Sequence, residues 1–388
     1  MTPPAPTAPL AREWNLVLAA SSDVSHCDPD RTRILPDPQL NWEAVLLLAD
    51  QHGTSSLLYH YLEPFAATIP SAAFASLRRR YERNIHKSLF LTRELMRILD
   101  CLDSLRIDVI PYKGIVLSET YYGDIAMRQP GDMDLFVRVQ DVGRINSAVR
   151  KLGYTPRLPI PENAEADYIA SGYECTFDSS AGKNLLELQW ALQPRFYAVD
   201  FDMDGLFERA LNATIAGRAV KTPSPEDLLL VLSLHAAKHV WGRLIWLCDI
   251  GQIVKREDLN WGWVRAQAHH LGVERILHIT LLLANRFLAT PVPAPIRDAA
   301  MTDKVGRAFA QQIAAAVTAG VCYEEQKIEY FRLMMRLRER RMDRVRFLTR
   351  LAFTPGPGEW KAVRLPKLLF PLYRMVRLAR LGAKWTKR

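Results

Sequence analysis

Two aspartates that stand two residues apart, Asp132 and Asp134, are the first candidates for chemistry in this sequence. They frame the start of the apolar run 133–137, whose alternation predicts a β-strand with both carboxylates on one face. Neighbouring carboxylates on a rigid strand repel each other and lose hydration. Because a divalent cation would offset both costs, the pattern predicts a metal site.

A third carboxylate, Glu187, lies within the apolar segment 184–192, which also reads as a strand. Glu187 and Gln189 would share one face of that strand. An acid among apolar neighbours needs a partner, either a metal ion or an arginine at the sheet edge. If this strand lies beside the aspartate strand, the three acids can bind two Mg²⁺ ions. One ion would activate an attacking hydroxyl and the other would hold a triphosphate.

Lys113 and Gly114 stand where a β-branched run meets a predicted helix. Free N–H groups at a helix start bind phosphate oxygens, and Lys113 could neutralise phosphate charge. An ordinary strand-to-helix turn is the alternative interpretation. Arg128, four residues before Asp132, could also hold phosphate, or it could form a structural ion pair with one of the two aspartates.

In combination these motifs resemble the bacterial nucleotidyltransferase-like proteins of the polymerase β superfamily, over roughly residues 40 to 290. The shared motifs are KG-x2-L from Lys113, R-x3-D-x-D-L-x-V from Arg128, the strand LLELQW, and a helical segment with His235, Lys238, His239, Trp241, Arg243, Leu244 and Asp249. The superfamily's Gly-Ser phosphate signature is absent at Lys113-Gly114, and Gln189 replaces the usual His of the LLELQW strand.

The resemblance implies a metal-dependent transfer of a nucleotidyl group from an NTP to a hydroxyl or phosphate. The acids that would bind Mg²⁺ or Mn²⁺ and carry catalysis are Asp132, Asp134 and Glu187. The residues that would contact the nucleotide are Lys113, Gly114, Arg128, Lys238 and His239. The resemblance does not identify the acceptor, which could be a small molecule, a saccharide, a peptide or a protein. A role within a biosynthetic gene cluster is expected.

The two histidines of HAAKH, His235 and His239, share a helix face. They could instead stabilise the helical domain against the sheet, and without the Glu of HExxH they do not indicate a zinc protease. Asp249 is expected to orient a histidine or to form a salt bridge with Arg243.

Two other function classes remain open. A DxD glycosyltransferase would bind Mn²⁺ and a nucleotide sugar, although the helical pattern of the roughly 70 residues before the motif disfavours the α/β half that such enzymes place there. A catalytically degenerate NTP-binding or scaffold protein is favoured by the missing Gly-Ser signature.

The hydrophobic periodicity predicts an α+β fold, in which a small mixed β-sheet is flanked by N-terminal helices and a C-terminal helical domain. The resemblance implies that this sheet is a nucleotidyltransferase core. Ser224, followed by Pro225, is the expected N-cap of the first long helix after the core. The expected divisions are an irregular segment (1–36), a helical layer (37–105), the core (106–203), a helical domain (204–328) and basic amphipathic helices (329–388).

The net charge of +9 comes from the end of the chain. Residues 332–388 contain 17 Lys and Arg against three acids, a net +14, so the preceding residues total −5. Both halves of this tail interleave arginine with apolar residues, which indicates either a solvated helix pair or contact with an anionic membrane surface rather than a specific nucleic acid. Five scattered cysteines, no secretory signal and no apolar run long enough to span a bilayer favour a cytoplasmic protein, with the inner membrane face as a candidate contact.

Overall fold

A computed structural model describes the protein over residues 11–22, 39–160, 162–180, 182–321, 328–354, 359, 363, 365, 369 and 372–386. Its α-helices are α1 (Ala11–Ser22), α2 (Trp42–His52), α3 (Ser55–Leu62), α4 (Ser71–Ser104), α5 (Ile115–Leu117), α6 (Val142–Lys151), α7 (Glu162–Ser171), α8 (Met203–Glu208), α9 (Pro225–Lys238), α10 (Leu244–Arg256), α11 (Trp261–His270), α12 (Glu274–Leu288), α13 (Ala294–Thr302), α14 (Lys304–Thr318), α15 (Ile328–Leu337), α16 (Arg341–Phe353) and α17 (Tyr373–Thr386). A π-helical turn (Ser118–Tyr122) continues α5, and 3₁₀ turns span Glu63–Thr68, Val139–Asp141 and Arg195–Tyr197. The strands are β1 (Val109–Pro111), β2 (Met133–Val137), β3 (Thr155–Pro156), β4 (Glu174–Ser179), β5 (Gly182–Gln189), β6 (Leu211–Ile215) and β7 (Arg218–Thr222).

The N-terminal helices form as their local signals predict. The Asn41 side chain caps α2 by accepting a hydrogen bond from the backbone N–H of Ala44 at 3.1 Å, and the helix ends at Gly53, where φ is +72°. Helix α4 is a single uninterrupted element. Of the segment that we expected to be irregular, 1–10 and 23–38 lie outside the described residues, and the rest includes α1.

The central sheet has the strand order β1-β2-β5-β4-β3, in which only the β2–β5 pair is parallel. One face carries Leu135 and Leu188, which belong to the core that α4 and α6 complete. The other face carries Ile110 and Phe136, which belong to the core of the helical domain. Helices therefore cover both faces, and the α+β prediction is confirmed. Since Asp134 alternates with Leu135, its side chain faces the helical domain.

The helical domain begins at the predicted cap. Ser224 accepts a hydrogen bond from the N–H of Asp227 at 3.2 Å, and Pro225 occupies the first helical position. The expected helical domain, 204–328, also contains a β-hairpin, β6–β7, which lies between α8 and α9. Its two-residue turn has positive φ at both Ala216 and Gly217, as tight antiparallel hairpins require.

The cysteines that the structure describes, Cys101, Cys175 and Cys248, are free thiols, as expected. Cys27 and Cys322 lie outside the described residues. None of the helices in the described parts of the chain combines the length and apolar character that crossing a membrane requires.

Candidate active site

The three predicted acids line one cavity of about 320 Å³ between the sheet and helices α9 and α10. Parallel pairing places Asp134 of β2 directly opposite Glu187 of β5. Asp132 stands one residue before β2. The prediction that Glu187 lies on a strand beside the aspartates is therefore confirmed.

Gly114 fixes the turn that faces these acids. Its φ of +54° is a conformation that side chains with a Cβ rarely adopt. A Cβ at this position would stand 3.0 Å from the carbonyl oxygen of Asp132. The turn between β1 and α5 and the turn before β2 therefore approach each other closely, and glycine permits that approach.

Lys113 lies across the cavity floor and contacts an acid. Its Nζ lies 3.0 Å from Oδ1 of Asp134, and the two side chains are 10% and 2% exposed. Burial opposes the charged ammonium, but Asp134, Tyr112 and Glu187 together outweigh it and raise the pKa of Lys113 above its usual value. In this arrangement Lys113 neutralises an acid and stands at the cavity wall where a phosphate would approach.

Gln189 links the two strand acids. Its Nε2 donates to Oε2 of Glu187 at 3.1 Å and lies 3.4 Å from Oδ1 of Asp134. Its Oε1 accepts a hydrogen bond from the Tyr112 hydroxyl at 2.7 Å. The amide therefore holds both carboxylates from one side without adding charge.

Asp132 and Glu187 lie in a buried environment that disfavours their ionised forms. Burial, together with the charge of Asp134, raises the pKa of Asp132 to about 7 and that of Glu187 to about 8. Carboxylate oxygens are the ligands that Mg²⁺ prefers, so this donor set suits a divalent cation in its chemistry. Within the described ranges, however, no three His, Cys, Asp or Glu side chains are arranged so that they could hold one ion.

Arg128 lines the cavity but is engaged in an ion pair. Its Nε and Nη2 both donate to the Asp249 carboxylate, at distances of 2.9 to 3.1 Å, and the Tyr122 hydroxyl donates to Asp249 at 2.7 Å. A structural ion pair was one of the two interpretations for Arg128, but its partner is neither Asp132 nor Asp134. The expectation that Asp249 pairs with a histidine or with Arg243 is also wrong.

The helical side of the cavity carries a cluster of three rings. The centroids of His235 and His239 lie 4.8 Å apart, and each lies within 5.3 Å of the Trp246 centroid. Burial and nearby positive charges, Lys113 first among them, lower the pKa of His235 well below its usual value. His235 is therefore neutral at physiological pH.

Lys238, predicted from the same motif, reaches across the cavity toward the sheet. Its Nζ lies 3.3 Å from the Tyr173 hydroxyl and 5.2 Å from the centre of that ring. Lys238 and Tyr173 thus connect the helical domain to the strand side of the cavity.

Sequence reasoning missed a fourth acid in the cavity, Glu174. It is paired with Gln189 in the β4–β5 register, and its neighbour Tyr173 donates a hydrogen bond to it. Alternation along the predicted strand would have placed Glu174 on the same face as Glu187. Tyr112 and Trp246 carried no comparable signal, because apolar runs surround both residues.

Comparison with known proteins completes the description of this site. A family described as "Uncharacterised nucleotidyltransferase" matches residues 38–289, a span that includes the sheet, the cavity and helices α9 to α12. No curated protein and no solved structure gives a match. Since the matched region covers well over half of the chain and contains every predicted site residue, the chain belongs to this family of nucleotidyltransferases.

Proposed function

We propose that this protein transfers a nucleoside monophosphate from an NTP to a hydroxyl or phosphate of an acceptor, with Mg²⁺ or Mn²⁺ bound jointly by the phosphates of the NTP and by carboxylates of the set Asp132, Asp134 and Glu187. The observation that carries the proposal is the direct register of Asp134 against Glu187 beside Asp132, within a cavity of the family domain. Buried, mutually repelling carboxylates are best explained by a positive ligand that offsets their charge.

The reaction forms a bond between the acceptor oxygen and the α-phosphorus and breaks the bond from that phosphorus to the bridging oxygen of pyrophosphate. The bound cation would neutralise phosphate charge and increase the acidity of the acceptor hydroxyl. A bound cation would keep the Glu187 carboxylate ionised at neutral pH, and the ionised carboxylate would take the proton of that hydroxyl. Pyrophosphate leaves as a charged product. Lys113 and the backbone N–H groups that follow Gly114 can bind its negative charge.

The helical side of the cavity suits the planar part of the nucleotide. His235, His239 and Trp246 offer a ring surface, and the neutrality of His235 avoids adding charge there. Stacking of a base on aromatic rings contributes about 1–3 kcal/mol to binding. Lys238 lies between this surface and the acids, where it can contact the phosphates.

The test compares wild type with Asp132→Asn, Asp134→Asn and Glu187→Gln, each supplied with the four NTPs and Mg²⁺. We expect pyrophosphate release to fall at least about 100-fold in each variant, as for the loss of an essential electrostatic contact. Asp258→Asn is the matched control, since Asp258 is exposed and does not line the cavity. Circular dichroism verifies folding, and full turnover in Asp132→Asn would refute the assignment.

A second candidate, an NTP-binding or scaffold protein without catalysis, is favoured by one observation. Lys113 already supplies a positive charge to Asp134, which could make a cation dispensable. Calorimetric titration separates the two functions. NTP binding that needs no Mg²⁺ and yields no pyrophosphate would support the scaffold, whereas the proposed transferase requires Mg²⁺ for both. No feature of the fold favours a nucleotide-sugar donor, because helices α1 to α4 precede the aspartates.

A further inference from the structure

Exposed apolar side chains concentrate at the end of the chain, outside the matched family region. Of the 17 large apolar side chains exposed in the described parts of the chain, nine follow residue 341. The other eight are distributed over more than 300 residues. Single exposed apolar residues are normal on protein surfaces, whereas a concentration of them indicates an interaction surface.

Helix α16 has an inward and an outward face. Phe347 and Leu351 are buried against the body of the protein. Met342, Val345 and Leu348 recur every three residues on the opposite side and are 68%, 54% and 50% exposed. Such spacing aligns them along one side of the helix, so α16 presents an apolar stripe to solvent.

Helix α17 repeats this arrangement beside α16. Its Tyr373 is buried, while Met375 is 61% exposed and Leu378 is also exposed. The two helices pack together, and Nε of Arg377 donates to the carbonyl oxygen of Leu351 at 3.0 Å. Residues of both helices also line one shared recess. We call the outward residues of 341–353 and 372–380 the tail face.

The charge of the tail face is positive because the acids of the tail point inward. Glu359 is buried and paired with Arg377 and Arg380, at 3.3 and 2.9 Å. Asp343 is buried, and Glu339 accepts a hydrogen bond from the backbone N–H of Arg275. The arginines that remain exposed beside the apolar stripes are Arg341, Arg346 and Arg374.

One exposed acid lies next to this surface, but it is already neutralised. Asp200 forms two hydrogen bonds with the guanidinium of Arg350, at 2.7 and 3.0 Å. The tail face therefore combines unshielded arginine with exposed aliphatic side chains.

We propose that the tail face binds the surface of an anionic lipid bilayer. Arginines attract the anionic headgroups, and the aliphatic stripes gain by entering the boundary between headgroups and acyl chains. A site for single-stranded nucleic acid would instead offer a series of aromatic stacking platforms, whereas the exposed apolar side chains of the tail face are aliphatic apart from Phe353. The surface lies beyond residue 289, outside the matched family region, so the family match does not account for it.

The test is flotation of the full-length protein with phosphatidylcholine vesicles that contain either no anionic lipid or about 30% phosphatidylserine. We expect retention only on the anionic vesicles, and weaker retention at high salt. The triple variant Arg341→Gln/Arg346→Gln/Arg374→Gln should lower the affinity on the order of 100-fold.

A second triple variant, Val345→Gln/Leu348→Gln/Met375→Gln, tests the apolar part and should lower the affinity by at least about tenfold. The matched control is Leu47→Gln/Leu211→Gln/Met301→Gln, which removes equally exposed apolar side chains elsewhere and should bind as wild type does. Circular dichroism and NTP binding should be unchanged in both tail variants. Equal retention of the variants and control, equal retention on neutral vesicles, or retention by RNA but not by vesicles would overturn the proposal.

Discussion

The pairs Lys113–Asp134 and Arg128–Asp249 both join a basic side chain to a buried aspartate at the border of the same cavity. In the second pair the guanidinium donates through two nitrogens and Tyr122 caps the carboxylate. In the first pair a single hydrogen bond joins the ammonium to the carboxylate, and three further acids, Asp132, Glu174 and Glu187, line the same cavity. One aspartate therefore has balanced charge, whereas the other belongs to a cluster with an excess of negative charge.

This difference indicates that the Arg128–Asp249 pair stabilises the fold, whereas the Lys113–Asp134 pair belongs to the candidate site. Arg128 comes from the loop before β2 and Asp249 from α10, so their pair fastens the sheet to the helical domain. Lys113 and Asp134 both come from the sheet side, so their pair adds little to that attachment. In the proposed reaction, the single hydrogen bond to Asp134 would let Lys113 exchange that acid for a phosphate once a cation binds the acid.

The largest expected effect is that of Arg128→Met. Removing one partner of a buried ion pair leaves an uncompensated charge, which costs about 3–5 kcal/mol of unfolding free energy. Urea denaturation of wild type and variant measures this loss, and Mg²⁺ should not restore it, because Asp249 does not belong to the acid cluster. A loss below about 1 kcal/mol would show that the pair does not fasten the domains.

Lys113→Met should cost less, about 2–3 kcal/mol, because Gln189 still contacts Asp134 and the cavity admits water. Here Mg²⁺ should restore most of the lost stability, since it would supply the missing positive charge. Denaturation curves with Mg²⁺ and with EDTA measure the recovery. If Mg²⁺ stabilised the Arg128 and Lys113 variants equally, the distinction between the two pairs would fail.

A third effect concerns Asp132 and depends on pH. Its pKa of about 7 exceeds the value near 4 of an unfolded chain, so the folded state binds more protons between these values. The resulting stability is complete below about pH 4 and is lost as the pH rises through 7. Metal-free Asp132→Asn avoids this loss of stability and should be more stable than wild type at pH 8, by up to about 4 kcal/mol.

Urea denaturation in EDTA at pH 5 and pH 8 measures the difference, which should narrow at the lower pH. Asp258→Asn, at an exposed position, should show no such pH dependence. An Asp132→Asn variant that is less stable than wild type at pH 8 would contradict the charge excess in the cluster.

Much of the acid cluster could be predicted because its signals are local. Two aspartates at strand spacing and a lone Glu187 in an apolar strand need partners, and the β2–β5 register provides the pairing. The helix starts at Asn41 and Ser224 were predictable for the same reason, because an N-cap is determined by residue types within about four positions of the chain.

The partner of Arg128 could not be predicted, because Asp249 stands 121 residues away and no spacing rule relates the two. The hairpin β6–β7 was missed although Ala216-Gly217 is a short turn signal, because each flanking strand has only five residues, too few to give a clear alternation. Tertiary contacts and half-exposed strands are the features that local patterns describe least well.

The parallel pairing of β2 with β5 also determines when the site can form. Between Asp134 and Glu187 the chain must complete α6, β3, α7 and β4 before the two strands can meet. Closing so long a loop is slow compared with forming helices. During synthesis both aspartates leave the ribosome before Glu187. The third acid therefore joins them only when β5 pairs with β2.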